Sequence, residues 1–555
     1  MLINIQRFCI LFNVNILFFI VFYFYFYFLG RGLIIILNSF KKKVIFDDST
    51  KIFDTSILIF YPIIGMIAFS NILFILNFFF PLKNLFIIGF ITLIIFFNFT
   101  SQPKFKQNAW VYIFTIINCS ILSISTYDIN FQYDAGYYHL NYQNWIREFK
   151  LIFGLNNLHG AFGNSSIVDY IAAPLWIGDN LILLHYVSIL FIVFLINFLA
   201  YHIIFSKNTY LYFSSIFLSI YGLMDNFGVG GGRNGFFTIH GIIKPDIPSG
   251  IIFYVSCVLL THTLIKKSIT QKEMIFLKFI LIFSYQLKIS SALLLGFFLY
   301  VIISLKKFRL SSLITTNLVL IIWSIKNILL TSCLVYPINF TCLNSAWYSE
   351  QSTQDLKMFT RSHNNSYIIG DSFGLWFNNW ISVDLNKITM TNFLFSILLI
   401  YLIKLLLVNK KNNSSYKIYL IPLFFILSNI FIWITGAAHP RFIYGLFGYI
   451  VTVPFINSQN LKIKSSFRFN NFMFVMLLLF TTLLIPRLNS YKAFYQDPFK
   501  MTTIEVPVVK YKNINEDWVI PSVGDQCWIN IDCIPYVKNI FEQRYFTYKS
   551  FNSRG

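Results

Sequence analysis

Charged residues are scarce in this 555-residue chain. Asp, Glu, Lys and Arg together make up 12% of it, whereas a soluble globular domain carries about 25%. Hydrophobic residues account for 57%, and apolar runs of about 20 residues, the length that crosses a bilayer as a helix, recur along almost the whole sequence. The sequence therefore predicts an all-α, polytopic transmembrane helical bundle of roughly 12–14 spans, with outer polar loops and a short polar C-terminal tail.

Acidic residues are the scarcer of the two charge signs. The chain has 22 Asp and Glu against 43 Lys and Arg, a formal net charge of +21. Nucleic-acid binding is one explanation of such a charge. Much of the basic charge, however, stands in short clusters beside apolar runs, which is the pattern of the positive-inside rule. The sequence therefore predicts contact with membrane lipid and no nucleic-acid partner.

Motifs that would assign a chemistry at once are missing. The seven cysteines form no Cys-x-x-Cys pair, so no metal site is predicted, and nothing indicates a cofactor. The segment GVGGGRNG lacks the Lys-Ser/Thr ending of a P-loop. The first apolar run is too long for a signal peptide and has no small-residue cleavage site, which predicts a retained transmembrane helix.

Basic clusters and polar loops alternate between successive apolar runs, and this alternation predicts the topology. Short Lys-rich loops fall on one side, and loops with clustered Asp, His, Asn and Gly fall on the other. We expect a bacterial inner-membrane protein with its polar loops and tail on the outer face. The predicted segments are N-terminal transmembrane helices at 1–126, an outer loop with the candidate active site at 127–179, central transmembrane helices at 180–336 with an outer loop at 225–247, an outer loop at 337–390, C-terminal transmembrane helices at 391–486 and an outer polar tail at 487–555.

The outer loop around Tyr133 is the main candidate for a functional site. A carboxylate just outside a helix end, among aromatic rings, suits a general base, and interface anchoring has no use for one, so Asp134 is the first candidate catalytic residue. His139 and His159 are further acid/base candidates, although a lone loop histidine is more often a hydrogen-bonding residue. Candidate ligands of sugar hydroxyls or phosphate in this loop are Tyr137, Asn156 and Asn164.

The segment YYHLNYQNWIREFK in the same loop has the pattern of an amphipathic helix. On the interpretation that it lies on the membrane surface, Leu140, Trp145 and Ile146 face lipid, while Gln143 and Arg147 face outward. The aromatic residues then serve as interfacial anchors.

Several basic residues outside this loop are candidate phosphate ligands. Arg233 lies in GVGGGRNG, whose backbone N–H groups could cradle a phosphate, although a flexible turn is equally consistent. Lys288 is a charge in an apolar setting, which is costly in a membrane and usually has a task; snorkelling to the interface is the alternative. The remaining substrate-binding candidates are Lys244 and Asp246, which could instead pair with each other, and His439 and Arg441 in the turn AAHPR.

Residues 274–305 lie between two basic clusters, so both ends should face the same side. This predicts two short helices that meet near Gln286 and Lys288. In the tail, Cys527 and Cys533 are six positions apart, which makes a disulfide possible outside the cell, and Cys333 with Cys342 is a second candidate pair. The third loop contributes Trp347, Tyr348, Trp376 and Trp380, which could stack on sugar rings or sit at the interface.

Taken together, YDAGYYHLNYQNWIREFKLIFGLNNLHGAFGNSS, LLTSCLVYP, HPRFIYG and DQCWINIDCIPY resemble the motifs of a leptospiral-type bacterial multi-pass membrane family of unknown function. That resemblance touches most of the chain and implies little about activity. More distantly, the plan is similar to the GT-C glycosyltransferases, which have an acidic residue in an early outer loop and a lipid-linked sugar donor.

The second resemblance implies a specific reaction. Asp134 would be the catalytic base, and Lys288, Arg233 or Arg441 would hold the phosphate of a polyprenyl-phosphate-linked sugar in cell-envelope polysaccharide synthesis. The chain departs from many such enzymes because Ala135 and Gly136, rather than a second acid, follow the first. A transporter or flippase is the alternative, but it would call for inverted repeats and paired charges in mid-membrane. An O-antigen-type polymerase is another; it would rely on outer-loop arginines and need no Asp.

Overall fold

Long apolar helices make up most of the chain. The structure, a computed structural model, describes residues 14–40, 46–83, 85–100, 109–127, 129, 131–176, 178, 180–227, 244–306, 311–407, 417–458, 470, 472–473, 476, 488–500, 502–514, 516–536, 540–545 and 547–553. Within them the helices are α1 (Val14–Phe40), α2 (Ile57–Leu76), α3 (Leu85–Phe96), α4 (Ala109–Ser123), α5 (Leu140–Glu148), α6 (Ile167–Ala172), α7 (Ile182–Phe205), α8 (Thr209–Phe227), α9 (Asp246–Lys266), α10 (Gln271–Leu287), α11 (Ala292–Ser304), α12 (Ser311–Thr331), α13 (Glu350–His363), α14 (Phe373–Ser382), α15 (Asp384–Leu407), α16 (Lys417–Gly436), α17 (Tyr444–Ile450) and α18 (Leu488–Gln496).

Seven of the described helical segments are long and apolar enough to cross a membrane. Four shorter apolar segments accompany them, at Ile87–Thr100, Ile289–Ser304, Asn317–Thr331 and Tyr444–Phe455. The chain is therefore a membrane-associated helical protein, and the span count of 12–14 stays a prediction. The seven segments are Val14–Phe40, Ile57–Leu76, Ala109–Tyr127, Ile182–Phe205, Asp246–Lys266, Asp384–Lys404 and Ile418–Gly436.

The helices differ in how much of their surface the protein covers. α7 is buried along nearly its whole length, so it lies at the centre of the bundle. α16 is mostly uncovered, and its exposed residues Leu420, Phe424, Leu427 and Phe431 recur at helical spacing. Such an apolar stripe on one face of a peripheral helix is the surface that hydrocarbon would cover.

The apolar stretch 271–304 is broken at Lys288. α10 ends at Leu287, Lys288 has an extended backbone, and a 3₁₀ turn at Ile289–Ser291 leads into α11. Two short helices thus meet at the position that the flanking basic clusters predict. The break places the Lys288 side chain at the junction instead of in the middle of a continuous helix.

The described C-terminal residues 488–553, called the tail below, fold over the loop that follows α4. Phe153 N–H donates to the Lys549 carbonyl and Phe551 N–H donates back to Phe153, both at 3.0 Å. Trp528 N–H donates to the carbonyl of Gly136 at 2.8 Å. The end of the bundle where this loop, the tail and the N-terminus of α9 meet is called the polar end.

Short strands add to the predicted all-α architecture. Among the described residues they form three antiparallel hairpins, which are β1 (Lys51–Ile52) with β2 (Thr55–Ser56), β3 (Tyr511–Asn513) with β4 (Val519–Pro521), and β5 (Ile540–Tyr545) with β6 (Tyr548–Ser553). Two of the hairpins belong to the part of the tail after α18, where the sequence has no long apolar run. Disulfides join Cys527 to Cys533 and Cys333 to Cys342, the two pairs expected from the sequence.

The amphipathic helix of the loop does not lie on an outer surface. In α5 the apolar residues Leu140, Trp145 and Ile146 are buried, and so is Gln143, which the membrane-surface interpretation places in water. The Trp145 ring packs on Phe551 of the tail at 5.5 Å. The expectation that these residues face lipid is therefore wrong, because they are buried inside the protein, Trp145 against the tail.

Candidate functional site

Asp134 lies at the start of a π-helical turn, Ala135–His139, that runs into α5. Its Oδ2 is 2.7 Å from Lys244 Nζ and 3.1 Å from Arg441 Nη1. Both partners come from distant turns, one just before α9 and the other just before α17. Among the candidates from the sequence, the first catalytic choice and two of the phosphate candidates therefore meet in one place.

Asp246, the first residue of α9, is the second carboxylate of the site. Its Oδ1 accepts a 2.5 Å hydrogen bond from Lys288 Nζ, and its Oδ2 is 3.9 Å from Arg441 Nε. Arg441 therefore stands between the two carboxylates. We call Asp134, Lys244, Asp246, Lys288 and Arg441 the five-charge cluster.

The alternative that Lys244 and Asp246 pair with each other is not the arrangement found. Lys244 contacts Asp134, and Asp246 contacts Lys288. Lys288 makes two contacts within the protein. Its ammonium lies 3.5 Å from the centre of the Phe442 ring as well as on Asp246, a cation–π contact that adds to the ion pair.

Helix α17 packs closely against α9, and this contact brings the turn that carries Arg441 next to the start of α9. A Cβ added at Gly445 would lie 2.8 Å from the carbonyl oxygen of Gly250, so α17 can sit this near α9 only with glycine there. His439 fixes the turn locally, because its Nδ1 accepts the N–H of Arg441 at 3.2 Å. Trp433 Nε1 donates to the carbonyl of His439 at 2.9 Å. These contacts aim the guanidinium at the cluster.

The cluster is buried but reachable. The side chains of Asp134 and Lys288 are each 20% exposed and that of Arg441 is 22% exposed, while Lys244 and Asp246 are nearly covered. Three cations face two carboxylates, so the formal charge of the cluster is one positive unit. An anion that approaches the exposed side meets cations already held in place, which is the arrangement that binds phosphate groups.

The surroundings also shift the titration of the site. Burial disfavours the charged form of Asp134, but Lys244 and Arg441 outweigh burial and lower the pKa of Asp134 below its ordinary value. Burial, with the positive charge of Arg441 beside it, lowers the pKa of His439 to about 4. At neutral pH the carboxylate is thus charged and the imidazole neutral.

The two histidines of the early loop lie next to the cluster and not inside it. His139 Nδ1 is 3.7 Å from Asp169 Oδ1. His159 packs its ring against Tyr137 at 4.6 Å. The Tyr137 hydroxyl is 3.3 Å from that of Tyr536 in the tail. These contacts give the histidines and Tyr137 places in the wall behind Asp134.

The other candidates of the sequence analysis are dispersed. Asn156 is buried beside Tyr336, and Asn164 is exposed at the surface. Arg233 lies outside the described residues. Trp376 and Trp380 are buried, and their indole N–H groups donate to the carbonyls of Asn365 and Ala438, so stacking on a sugar ring is not open to them.

Lys326 is a buried lysine near the polar end that is not among the candidates predicted from the sequence. Lys326 in α12 is fully buried; its Nζ donates to the hydroxyl of Ser165 and to Asn327, and lies 3.9 Å from the Trp323 ring. Its position inside an apolar run could have identified it from the sequence, because charges inside membrane helices are rare and usually functional. Lys326 ties α12 to the segment that precedes α6.

The chain matches a known protein family. The family described as Domain of unknown function (DUF8201) matches residues 14–448. The chain belongs to this family. No curated protein and no solved structure matches the chain. The region matched by DUF8201 contains all five members of the cluster, and the whole tail follows it. Among the described residues, no group of three or more His, Cys, Asp or Glu side chains could hold a metal ion.

Proposed function

We propose that the chain is a GT-C-like membrane glycosyltransferase that uses a polyprenyl-phosphate-linked sugar in cell-envelope polysaccharide synthesis. On this proposal it lies in the bacterial inner membrane with the polar end outside. The observation that carries the proposal is the contact of Arg441 with both Asp134 and Asp246. It puts a candidate base and three candidate phosphate ligands in one partly exposed cluster.

In the proposed reaction the carboxylate accepts a proton, and the cations stabilise the leaving phosphate. Asp134 would take the proton of the acceptor hydroxyl as that oxygen attacks the anomeric carbon of the donor. The bond from that carbon to the phosphate oxygen breaks, and Arg441 and Lys288 stabilise the negative charge on the departing polyprenyl phosphate. Arg441 suits this role because its planar guanidinium can bind two oxygens at once.

The ion pairs also link donor binding to base strength. Without a donor, Lys244 and Arg441 lower the pKa of Asp134, which makes the carboxylate a weak base. A bound phosphate would neutralise part of the positive charge around Asp134, and the pKa of the carboxylate would rise toward its ordinary value. The carboxylate then becomes more basic only when a donor is present.

The test is the release of lipid phosphate by the full chain in nanodiscs. Undecaprenyl-phosphate-linked hexoses serve as donors, membranes from the producing cells supply the acceptor, and undecaprenyl phosphate is quantified. We expect Asp134→Asn to abolish release while the amount of protein in the membrane stays the same. The matched control is Asp355→Asn, because Asp355 is an exposed carboxylate in α13 that accepts a hydrogen bond from Gln351 Nε2 at 2.7 Å.

Other results would favour one of the alternative functions. Full release by Asp134→Asn would contradict the transferase with Asp134 as its base. If Arg441→Ala then lost product formation, an O-antigen-type polymerase would fit better, because that reaction relies on arginine. Movement of the intact lipid-linked sugar across the bilayer, with no bond broken, would identify a transporter or flippase.

A further inference from the structure

An exposed apolar surface lies on α14 and on the turn before it. Five large apolar side chains are exposed there within a short stretch of chain; they are Ile368, Ile369, Phe373, Leu375 and Phe377. Ile369 is 71% exposed and Leu375 is 68% exposed. We call these five residues the 368–377 patch. Contiguous apolar surface of this kind marks a site that a partner or a membrane covers.

Helix α14 has three sides of different character. Trp376 and Trp380 are buried against the rest of the protein. Phe373 and Phe377 are four positions apart, so they lie together on the flank of the buried side, with ring centres 6.3 Å apart. The side opposite Trp376 carries Asn378, which is exposed. An apolar flank beside a polar side is the pattern of a helix that lies along a membrane surface.

The patch is continuous with the apolar outer face of α16. Tyr367 N–H donates to the carbonyl of Ile434 at 2.8 Å, within one turn of the exposed Phe431. The Tyr367 ring also packs on that of Phe373 at 5.6 Å. Tyr367 therefore joins the patch to the end of α16, the helix whose exposed stripe is the surface that hydrocarbon would cover.

The patch also adjoins α15. Helix α14 ends at Ser382 and α15 begins at Asp384. The buried Asn386 in the first turn of α15 donates its Nδ2–H to the carbonyl of Trp380 at 2.9 Å. Both α15 and α16 contain segments long and apolar enough to cross a membrane. The patch thus lies where two candidate spans end, which is the level at which hydrocarbon gives way to lipid headgroups.

Membrane lipid is the partner that fits this patch. From Ser366 to Val383 the only charged residue is Asp371, so the segment has little charge to hold it in water. Lipid that covers the outer face of α16 would meet the patch next, because the two surfaces are continuous. We infer that the 368–377 patch inserts into the leaflet of the bilayer at the polar end. The predicted outer loop at 337–390 is then not wholly in water.

Insertion of the patch would also set the depth of the turn that carries Arg441. Trp380 Nε1 donates to the carbonyl of Ala438 at 2.6 Å, and Ala438 N–H donates to Ser366 Oγ at 3.3 Å. The inserted segment therefore holds this turn at two points, three residues before Arg441. The guanidinium is kept near the lipid headgroups. This inference uses no step of the proposed reaction and does not rest on it.

Site-directed spin labelling tests the insertion in the full chain in nanodiscs of phosphatidylethanolamine and phosphatidylglycerol. A nitroxide is attached to Ile369→Cys or Phe373→Cys, and the unchanged protein treated with the same label gives the background from its own cysteines. Oxygen concentrates in hydrocarbon, whereas a nickel chelate stays in water. We expect the ratio of oxygen to nickel accessibility at both positions to exceed that of a label in water about fivefold.

Two other exposed apolar residues provide matched controls. Phe424→Cys is on the outer face of α16 and should report hydrocarbon, while Val508→Cys is in the tail and should report water, because Val508 is 100% exposed. Asn378→Cys is on the polar side of α14. Its ratio of oxygen to nickel accessibility should be several-fold lower than that of Phe373→Cys, although both labels are on the same short helix.

The inference requires the hydrocarbon result at both Ile369→Cys and Phe373→Cys. It is overturned if nickel reaches either label as readily as it reaches Val508→Cys, because the patch is then in water. Low accessibility to both reagents would overturn it too, since protein would then cover the patch. Dipolar broadening between labels in nanodiscs that hold two chains would assign the patch to contact with a second copy instead.

Discussion

Arg441 and Asp134 are 307 positions apart in the chain, and a 3.1 Å hydrogen bond joins Arg441 Nη1 to Asp134 Oδ2. One residue comes from the first large polar loop and the other from a short turn between two late helices. The bond therefore closes the site across most of the fold. It also makes the guanidinium the one group of the cluster in contact with both carboxylates among the described residues.

Replacing Arg441 by lysine keeps the positive charge and removes the planar guanidinium with its separate N–H groups. The N–H groups of an ammonium all leave one nitrogen, so lysine cannot place donors where Arg441 holds Nη1 beside Asp134 and Nε toward Asp246. We expect Arg441→Lys to reduce the release of undecaprenyl phosphate at least about tenfold, which corresponds to about 1.4 kcal/mol. Arg361→Lys in α13 is the control and should behave as the unchanged protein. Equal rates for both variants would show that charge alone suffices at this position.

The stability of the site should depend on pH through Asp134. Its pKa is lowered in the folded state, so its stabilising contribution is present above the ordinary pKa of about 3.9 and is lost as the pH falls through the lower folded value. Asparagine resembles the protonated acid. The difference in Tm between the unchanged protein and Asp134→Asn should therefore be large at pH 7 and shrink toward pH 3.

This comparison has its own control. Asp355→Asn removes an exposed carboxylate of the third loop that accepts a hydrogen bond from Gln351, and its difference in Tm should change little over the same pH range. A constant gap between the unchanged protein and Asp134→Asn from pH 7 to pH 3 would contradict the role of the ion pairs at Asp134.

Gly136 should tolerate no side chain while the tail is docked. A Cβ there would lie 2.6 Å from an atom of the Trp528 ring, so the ring or the backbone must shift. We expect Gly136→Ala to destabilise the polar end by about 1–3 kcal/mol and to speed proteolysis of the tail. Gly374→Ala is the control, since nothing lies within 4 Å of its added Cβ. Identical proteolysis rates would refute the packing.

The Cys527–Cys533 disulfide should hold the same segment in place. It closes a short loop around Trp528, and a loop of this length stabilises by about 2 kcal/mol through the unfolded chain. We expect Cys527→Ser with Cys533→Ser to expose the tail to protease. Peptide mapping without reductant should recover the two cysteines in one linked peptide. A free thiol at either position in the isolated protein would disprove the pairing.

Sequence reasoning located the charged centre of the site better than its details. Lys288 stands out in the sequence because a charge in an apolar setting is costly in a membrane and usually has a task. Asp134 stands out because interface anchoring has no use for a carboxylate, and Arg441 because a compact turn with an arginine suits phosphate binding. Lys326 fits the same rule as Lys288 and was overlooked inside a long apolar run. The closeness of Lys244 and Asp246 in the sequence allows them to pair with each other. Residues two apart at the start of a helix, however, point in different directions.

The sequence predicts the amphipathic pattern of α5 correctly, but it does not predict which surface covers the apolar face of this helix. Periodicity shows that Leu140, Trp145 and Ile146 share a need for burial. It cannot show whether lipid or protein buries them, because a covering residue can lie at the far end of the chain, as Phe551 does against Trp145. The same limit applies to Trp376 and Trp380, whose indole partners are backbone carbonyls of other segments.

The contact of Gly136 with Trp528 sets an order of events during biosynthesis. All five members of the cluster leave the ribosome before Trp528 does, and the loop that carries Asp134 lacks its cover until then. A chain interrupted between Arg441 and Trp528 would hold every charge of the cluster and still be unfinished. Maturation of this site is therefore a late step, completed only when the tail has been made and has docked.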